Sequence, residues 1–315
     1  MNRVFCIGEL LIDFVCKDIG VKLEDGVTFE KKAGGAPANV AAAITKLGGE
    51  ACYLGKVGAD FFGKFLMKTL DEANVNTEMT IIGGDTTLAF VSIDSNGERD
   101  FKFKRGADGE YSFDSINLSK INSKDIIHFG SATAFMGGEL KDTYFKLLKY
   151  SKENNIFISF DPNYREALIE DIKQFKKDSN IFIKAADIVK LSKEEAKIIG
   201  DSMNLDKAIL NIIEILGQGV LCITLGKEGT MVITPNEKFI VPSIDISQVD
   251  STGAGDAFVG ALLYKLTIDD NKVKVLNNRE KLRDIIFFGN KVGAITCTKY
   301  GAMASLPSIE EVENH

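Results

Sequence analysis

The segment 249–258 combines two glycines and a carboxylate at the start of an apolar helical pattern. Gly253 and Gly255 permit a tight turn, which is expected to leave the N–H groups of Ala254, Gly255 and Asp256 free at a helix N-terminus. Such N–H groups bind anions together with the helix dipole. Asp256 is then placed to take a proton from an alcohol that attacks a bound phosphoryl group. The alternative is a capping turn in which Asp256 only complements the dipole.

A second glycine cluster, residues 32–39, precedes another predicted helix. Gly34 and Gly35 let a bulky ligand approach the backbone closely, and Asn39 offers both a donor and an acceptor to hydroxyl groups. Asp13, just after the first predicted strand, can accept two hydrogen bonds from adjacent hydroxyls. Taken one at a time, these features are also typical of a tight turn and a solvated acid.

Other nucleotide and metal motifs are absent from the sequence. No G-x-x-x-x-G-K-[ST] occurs, and no G-x-G-x-x-G follows the first predicted strand, so a P-loop NTPase and a dinucleotide oxidoreductase are unsupported. The chain has only two histidines, His128 and His315, which excludes a histidine-rich zinc site. His128 lies in an apolar run and is predicted to be a core strand residue.

The composition is that of an ordinary globular protein. The chain has 315 residues, 45% of them hydrophobic and 26% charged, enough to bury a large core. With 38 basic and 45 acidic residues the net charge is −7, which disfavours a nucleic-acid partner. No apolar stretch reaches the roughly 18 residues of a membrane span. We therefore expect no membrane partner. The five cysteines form no C-x-x-C pair, so we expect free thiols and a cytoplasmic location.

Short apolar runs alternate with amphipathic stretches through most of the chain. Six runs rich in Ile, Val and Phe predict buried strands: 4–8, 51–57, 126–130, 156–160, 187–191 and 220–225. Eight amphipathic or apolar stretches predict helices: 37–47, 61–73, 140–154, 172–185, 193–199, 205–216, 255–266 and 279–297. This alternation predicts an α/β fold with a mostly parallel sheet covered by helices on both faces.

Two segments interrupt the alternation. Residues 14–32 lack a helical period, and residues 86–111 alternate like exposed antiparallel strands around an Asn96-Gly97 hairpin turn. We predict that these segments pair into a small β-sheet. Ligands of α/β proteins bind at the strand ends, so such a sheet would be well placed as a lid. A thin sheet exposes apolar residues on one face, which predicts a homodimer that covers them.

The motifs resemble, in order, the two signatures of the ribokinase-like (PfkB) sugar kinases. The early signature is matched by residues 34–41 and 55–63, and the late one by residues 250–258. The resemblance extends from residue 8 to residue 307. It implies one domain over residues 1–315, with a three-layer α/β/α core and a lid formed by about residues 14–32 and 86–111. It also implies transfer of a phosphoryl group from ATP, with Mg²⁺, to a sugar hydroxyl.

The resemblance implies a role for individual residues of this sequence. Asp256 would be the general base, with the amides of Gly253, Ala254 and Gly255 around the phosphoryl group. Sugar hydroxyls would be held by Asp13, Gly34, Gly35 and Asn39. The nucleotide side would comprise Lys190, Glu195, Thr224, Gly226, Gly229 and Asn290, with Glu195 organising Mg²⁺ through water. Ser192 stands where the family has an asparagine, a departure from its N-x-x-E segment. The residues matching the monovalent-cation loop, where K⁺ would act as an activator, are Asp250, Thr252, Thr296, Gly301 and Ser305.

Within the family, segments 8–14, 105–108 and 161–165 look most like the fructokinase branch. Fructose is therefore the expected acceptor, and Arg105, Asn163 and Arg165 are expected to contact it. Similar segments occur in 2-keto-3-deoxygluconate kinases, where the two arginines would bind a carboxylate. A non-catalytic sugar- or nucleotide-sensing protein is the alternative from another class. The presence of Asp256 argues against it, because a pure binder needs no base beside the phosphate.

Overall fold

The computed structural model of the protein describes residues 2–93 and 99–315. The predicted Asn96-Gly97 turn lies outside these residues. The described strands are β1 Val4–Ile7, β2 Leu11–Cys16, β3 Phe29–Gly34, β4 Ala51–Val57, β5 Thr80–Ile82, β6 Leu88–Ile93, β7 Arg99–Lys104, β8 Ile126–Phe129, β9 Phe157–Phe160, β10 Ile188–Ser192, β11 Val220–Thr224, β12 Thr230–Ile233 and β13 Lys238–Val241. The helices are α1 Ala36–Lys46, α2 Phe61–Glu72, α3 Gly138–Glu153, α4 Ile172–Ala185, α5 Lys193–Ile199, α6 Leu205–Leu216, α7 Ala254–Ile268, α8 Lys272–Leu276, α9 Arg279–Thr296 and α10 Ile309–Glu313.

A nine-stranded sheet forms the centre of the molecule, in the order β13-β12-β11-β10-β9-β8-β1-β4-β5. The pairs from β11 across to β5 are parallel, and β12 and β13 join the β11 edge antiparallel. The predicted α/β fold with a mostly parallel sheet is confirmed. All six predicted strands and eight predicted helices are present, with bounds that shift by at most two residues.

Helices cover both faces of this sheet. Along β1, Val4 and Cys6 pack into one hydrophobic cluster with α1, α2, α7 and α9. The intervening Phe5 and Ile7 pack into the other cluster with α3, α4, α5 and α6. Because both faces of the parallel strands are buried, their sequences are continuous apolar runs rather than alternating patterns. No helix in the described ranges is long and apolar enough to cross a membrane.

The small β-sheet predicted from the two interrupting segments is also present, in the order β3-β2-β6-β7. β6 and β7 form the antiparallel pair that the alternating pattern predicted, whereas β2 and β6 run parallel. β2 follows β1 directly and β3 leads into α1, so the small sheet stands at the carboxyl ends of the parallel strands. Its strands begin at Leu11, three residues before the predicted segment. Its role as a lid stays a prediction.

Candidate functional site

The proposed base lies in the first turn of α7. Asp256 is 8% exposed, and Asn39 of α1 donates from Nδ2 to its Oδ2 at 2.7 Å. Burial raises the pKa of Asp256 to about 6, and the Asn39 hydrogen bond opposes that rise. A carboxylate with a pKa near 6 is ionised at neutral pH and remains basic enough to accept an alcohol proton.

Asn39 has a second function available. Its Oδ1 is buried and has no hydrogen-bond partner among the described residues. A buried acceptor without a donor is unfavourable unless a ligand or water supplies one. Asn39 therefore orients Asp256 through its Nδ2 group, while its Oδ1 can accept a hydrogen bond from a hydroxyl group. This second contact agrees with the predicted sugar contact.

The start of α7 has the geometry predicted for an anion site, with one difference. Gly253 is the N-cap at φ +80°, and a Cβ there would lie 2.8 Å from Cα of Ala302, so both conformation and space require glycine. The Ala254 N–H, predicted to be free, donates to the carbonyl of Ser251 at 3.2 Å because residues 251–254 form a turn. Within the described chain, the N–H groups of Gly253 and Gly255 donate to no other group.

The early glycine cluster and Asp13 lie together, as the resemblance implied. A Cβ at Gly34 would stand 2.0 Å from Oδ2 of Asp13, so this carboxylate lies directly against the glycine backbone. Burial raises the pKa of Asp13 to about 6, and the charges of Arg165 and Lys32 lower it. Arg165 also lowers the pKa of Asp256, so the charge of one exposed guanidinium acts on both carboxylates.

Two other predicted sugar contacts are held by the protein itself. Arg105 donates to the carbonyl of Thr133 at 3.1 Å. Asn163, at φ +44°, donates from Nδ2 to the carbonyl of Gly130 at 2.7 Å. Both side chains are thus anchored to the loop after β8, and their contacts with a sugar stay predictions.

The predicted nucleotide side lies at the ends of β10 and β11. Lys190 of β10 forms an ion pair with Asp161 at 3.0 Å, and its Nζ lies 3.4 Å from a Cβ built on Gly255. Burial lowers the pKa of Lys190, but the negative charges of Asp161, Glu195 and Asp256 raise it by more. The pKa therefore lies above its usual value, and the Lys190 side chain stays an ammonium. The structure therefore brings a fixed positive charge to the first turn of α7. Asp161 begins the segment 161–165, and nothing in its local sequence indicates this pairing.

The departure at Ser192 has a structural explanation. Ser192 is the N-cap of α5 and accepts from the Glu195 N–H at 3.1 Å, while Glu195 accepts from the Ser192 N–H at 2.7 Å. This is a capping box, and its S-x-x-E signal was available in the sequence. The other carboxylate oxygen of Glu195 accepts from the Tyr164 N–H at 2.8 Å. Its role toward Mg²⁺ stays a prediction.

The remaining nucleotide residues border the same edge of the sheet. Thr224 ends β11, and Gly226 and Gly229 form the following turn at φ +62° and +99°. Asn290 of α9 accepts from the Thr230 hydroxyl at 2.6 Å and donates to the carbonyl of Val241 at 2.9 Å. Its amide thus ties α9 to β12 and β13, and a contact with adenine stays a prediction.

The predicted cation loop is assembled from oxygen groups. Asp250 accepts from the Thr252 hydroxyl at 2.7 Å and from the Gly301 N–H at 3.0 Å. The hydroxyls of Thr296 and Ser305 are buried and donate to carbonyls of their own segments. Lys299, whose ammonium could replace an ion there, is paired with Glu311 at 2.7 Å.

His128 is a core residue, as predicted. It lies in β8 with no exposed surface, and its Nδ1 is 3.0 Å from the Ser159 hydroxyl. Burial lowers the pKa of His128 to about 3, so the imidazole is neutral near pH 7. It takes no part in the chemistry described here.

Comparison with known proteins adds to this geometry. The profile of the pfkB family carbohydrate kinases matches residues 1–309. The chain belongs to this family. It is 36% identical over 99% of its length to probable fructokinase-4 of Arabidopsis thaliana, covering 96% of that protein. It is 38% identical over 98% of its length to fructokinase-2 of Oryza sativa subsp. japonica, covering 92% of that protein.

Among solved structures, this pfkB kinase is similar to a fructokinase double mutant from Vibrio cholerae O395, solved with fructose, ADP and a potassium ion. The TM-score is 0.87 at 29% identity, and the match covers 100% of this chain and 98% of the other. The predicted ribokinase-like fold is confirmed by this similarity, and the carbohydrate kinase class by the family and its fructokinase relatives.

Proposed function

We propose that this carbohydrate kinase is an ATP-dependent fructokinase that forms fructose 6-phosphate. The observation that carries the proposal is the Asp256–Asn39 pair at the N-terminus of α7, 2.7 Å between amide and carboxylate. The Asp13 carboxylate lies against the Gly34 backbone, and the two offer contacts for sugar hydroxyls. The fructokinase relatives match nearly the whole chain.

The reaction follows from these positions. Asp256 accepts the proton of the C6 hydroxyl of fructose as that hydroxyl oxygen bonds to the γ-phosphorus of MgATP. The bond from that phosphorus to the bridging oxygen breaks, and ADP leaves with the electron pair. The N–H groups of Gly253 and Gly255 and the ammonium of Lys190 oppose the charge on the transferring group. Glu195, whose negative charge raises the pKa of Lys190, would orient the magnesium of MgATP through water.

A second acceptor, 2-keto-3-deoxygluconate, is favoured by one observation. Arg165 is exposed, and its one hydrogen bond among the described residues goes to the carbonyl of Tyr164 at 3.1 Å. Its guanidinium is therefore available to a carboxylate.

A coupled ADP-release assay separates these acceptors. We expect a higher kcat/KM with fructose than with 2-keto-3-deoxygluconate, ribose, glucose or nucleosides. A higher kcat/KM with the sugar acid would assign Arg105 or Arg165 to its carboxylate instead. Nucleotide binding without ADP formation, whatever the sugar, would favour the sensing protein.

The pH dependence of turnover is a further prediction. Asp256 and Asp13 both have a pKa raised to about 6 by burial, and both act as carboxylates. We therefore expect kcat/KM for the sugar to be constant above about pH 7 and to fall below pH 6, approaching a logarithmic slope of two. In Asp13→Asn the rate should be lower and the slope should approach one. A profile of the unsubstituted enzyme that stays flat down to pH 5 would contradict these roles.

We further propose that K⁺ activates the enzyme at the loop around Asp250. The donor set fits an alkali cation because it consists of oxygens, with Lys299 held elsewhere by Glu311. An ion there would stiffen the segment that carries Gly253 without touching the substrates. We expect higher kcat in K⁺ than in tetramethylammonium at equal ionic strength. Equal kcat values in the two salts would contradict activation by K⁺ at this loop.

We also propose that the enzyme is a cytoplasmic homodimer joined through the small sheet. Val15, Val91 and Phe101 are neighbours on one face of that sheet and remain half-exposed. A second copy would cover them, and a cytoplasmic location would keep the five free thiols reduced. Sedimentation at micromolar concentration should give a dimer, and Val91→Lys should give monomers. A fully active monomer of the unsubstituted chain would refute the assembly.

A further inference from the structure

Two buried carboxylates that the mechanism does not use lie beside the sugar site. Glu9 follows β1 and is 2% exposed, and Asp108 follows β7 and is 1% exposed. A buried carboxylate is costly unless donors surround it. The donors of these two come from different parts of the fold, and they define a connected set of residues.

Glu9 holds the start of α1 against the loop after β8. Its Oε1 accepts from the Ala36 N–H at 3.1 Å, directly after the Gly34–Gly35 turn, and from the Ala132 N–H at 3.4 Å. Its Oε2 accepts from the Ser131 hydroxyl. The position of the sugar-binding turn is therefore set by this carboxylate.

Asp108 holds the start of β6 and the end of β7 against the same loop. One carboxylate oxygen accepts from the Thr87 hydroxyl, just before β6, and the other from the Thr133 hydroxyl at 2.7 Å. Thr87 in turn accepts from the Gly106 N–H at 2.8 Å, just after β7. The backbone carbonyl of Thr87 accepts from the N–H of Ile12 at 3.0 Å, and Ile12 precedes Asp13 in β2.

The two halves meet in the loop after β8. The hydroxyl oxygens of Ser131 and Thr133 lie 3.3 Å apart. Ser131 Oγ also accepts from the Thr133 and Ala134 N–H groups at 3.1 and 3.0 Å. Its acceptor capacity is filled, so its proton must go to an acceptor such as Glu9.

We propose that Glu9 and Asp108 are positioning residues, which act through the Ser131–Thr133 loop to hold the Gly34–Gly35 turn and the small sheet as one unit. Gly34 ends β3 and pairs with Leu11 of β2, so the strand ladder itself keeps Asp13 and Gly34 in register. What Glu9 and Asp108 add is to fix this sheet relative to the start of α1, the helix that carries Asn39. The inference rests on the sugar site of the proposed function but not on fructose being the acceptor.

Glu9→Gln and Thr133→Val each interrupt this set with little change of shape. In Glu9→Gln, either orientation of the new amide turns its NH₂ toward a donor, the Ala36 N–H or the Ser131 hydroxyl. Thr133→Val removes the hydroxyl that donates to Asp108. Thr133→Ser keeps a hydroxyl there, and Asp125→Asn is the matched control, because Asp125 is a buried carboxylate before β8, at the opposite end of the strands.

The kinetic test uses the acceptor that the unsubstituted enzyme phosphorylates fastest. We expect Glu9→Gln and Thr133→Val to raise the sugar KM about tenfold, the effect of one lost hydrogen bond to a charged group. The ATP KM should stay within about twofold, and Thr133→Ser and Asp125→Asn should match the unsubstituted enzyme. The double variant should show less than the product of the two single effects, since the first already separates the halves. Equal changes in both KM values, an unchanged sugar KM, or fully multiplicative effects would overturn the proposal.

A ligand-free measurement tests the same link without any activity. Amide hydrogen exchange of Thr133→Val should increase both at residues 33–38 and at residues 87–93, on the two sides of the loop. An increase confined to residues 130–136 would refute the coupling even if the kinase assay succeeds. An inactive unsubstituted protein would instead count against the proposed function and leave this comparison valid.

Discussion

Replacing Asp256 with asparagine is expected to lower kcat by about 10²–10⁴-fold, or roughly 3–5 kcal/mol in the activation barrier. Asparagine has the size of aspartate and can still contact Asn39, but it cannot accept the proton of the attacking hydroxyl. The loss therefore falls on the chemical step. Affinity for ATP should be unchanged or higher, because a negative charge beside the γ-phosphate is removed.

Calorimetric titration of Asp256→Asn with ATP and with fructose, alongside its steady-state rate, measures both parts of this expectation. Asp178→Asn is a suitable control, since Asp178 is a buried carboxylate that accepts from Lys141 on the far face of the sheet. More than about a tenth of the normal kcat in Asp256→Asn would mean that Asp256 is only a helix cap.

Replacing Lys190 with methionine is expected to lower kcat by about 10²-fold or more, the usual effect of losing one group that stabilises transition-state charge. The ammonium of Lys190 stands beside Gly255 and is fixed by Asp161 at 3.0 Å. Its charge matters most when the phosphoryl group is between donor and acceptor. The fall in kcat should therefore exceed the loss of ATP affinity.

Removing one member of a buried ion pair also destabilises the fold, by about 3–5 kcal/mol in comparable cases. The double variant Lys190→Met/Asp161→Asn separates this effect from catalysis, because it removes both charges of the 3.0 Å ion pair. We expect its thermal unfolding midpoint to recover while its kcat stays low. Recovery of activity together with stability would show that Lys190 serves only to neutralise Asp161.

The parts of the fold that were predicted correctly are those whose signal is local. The parallel strands are buried on both faces, so each one forms a continuous run such as residues 220–224. The edge strands β12 and β13 were not predicted. β13 mixes exposed with buried positions, and β12 is a short segment that opens on the polar Thr230. Helices α8 and α10, each of five residues, are too short to show a helical period.

For the candidate site, too, the features with a local sequence signal were predicted and the long-range contacts were not. The glycine-rich turns and Asp256 are recognisable within a few residues, and the resemblance orders them. The Asn39–Asp256 hydrogen bond joins residues 217 positions apart, and the Ser131–Glu9 bond spans 122. Contacts of that kind follow from the packing of the strands, and one sequence carries no local trace of them. The Lys190–Asp161 pair belongs to the same class.

All of the proposed residue roles depend on one reaction, in which this chain moves the γ-phosphoryl group of ATP onto a sugar hydroxyl. Phosphorus NMR of the unsubstituted enzyme with MgATP and fructose tests it most directly, because it follows the transferred atom itself. We expect the γ-phosphate resonance to be replaced by that of a phosphomonoester on carbon 6 of fructose, at the rate at which ADP appears. Conversion of ATP to inorganic phosphate, or an unchanged spectrum, would contradict the claim.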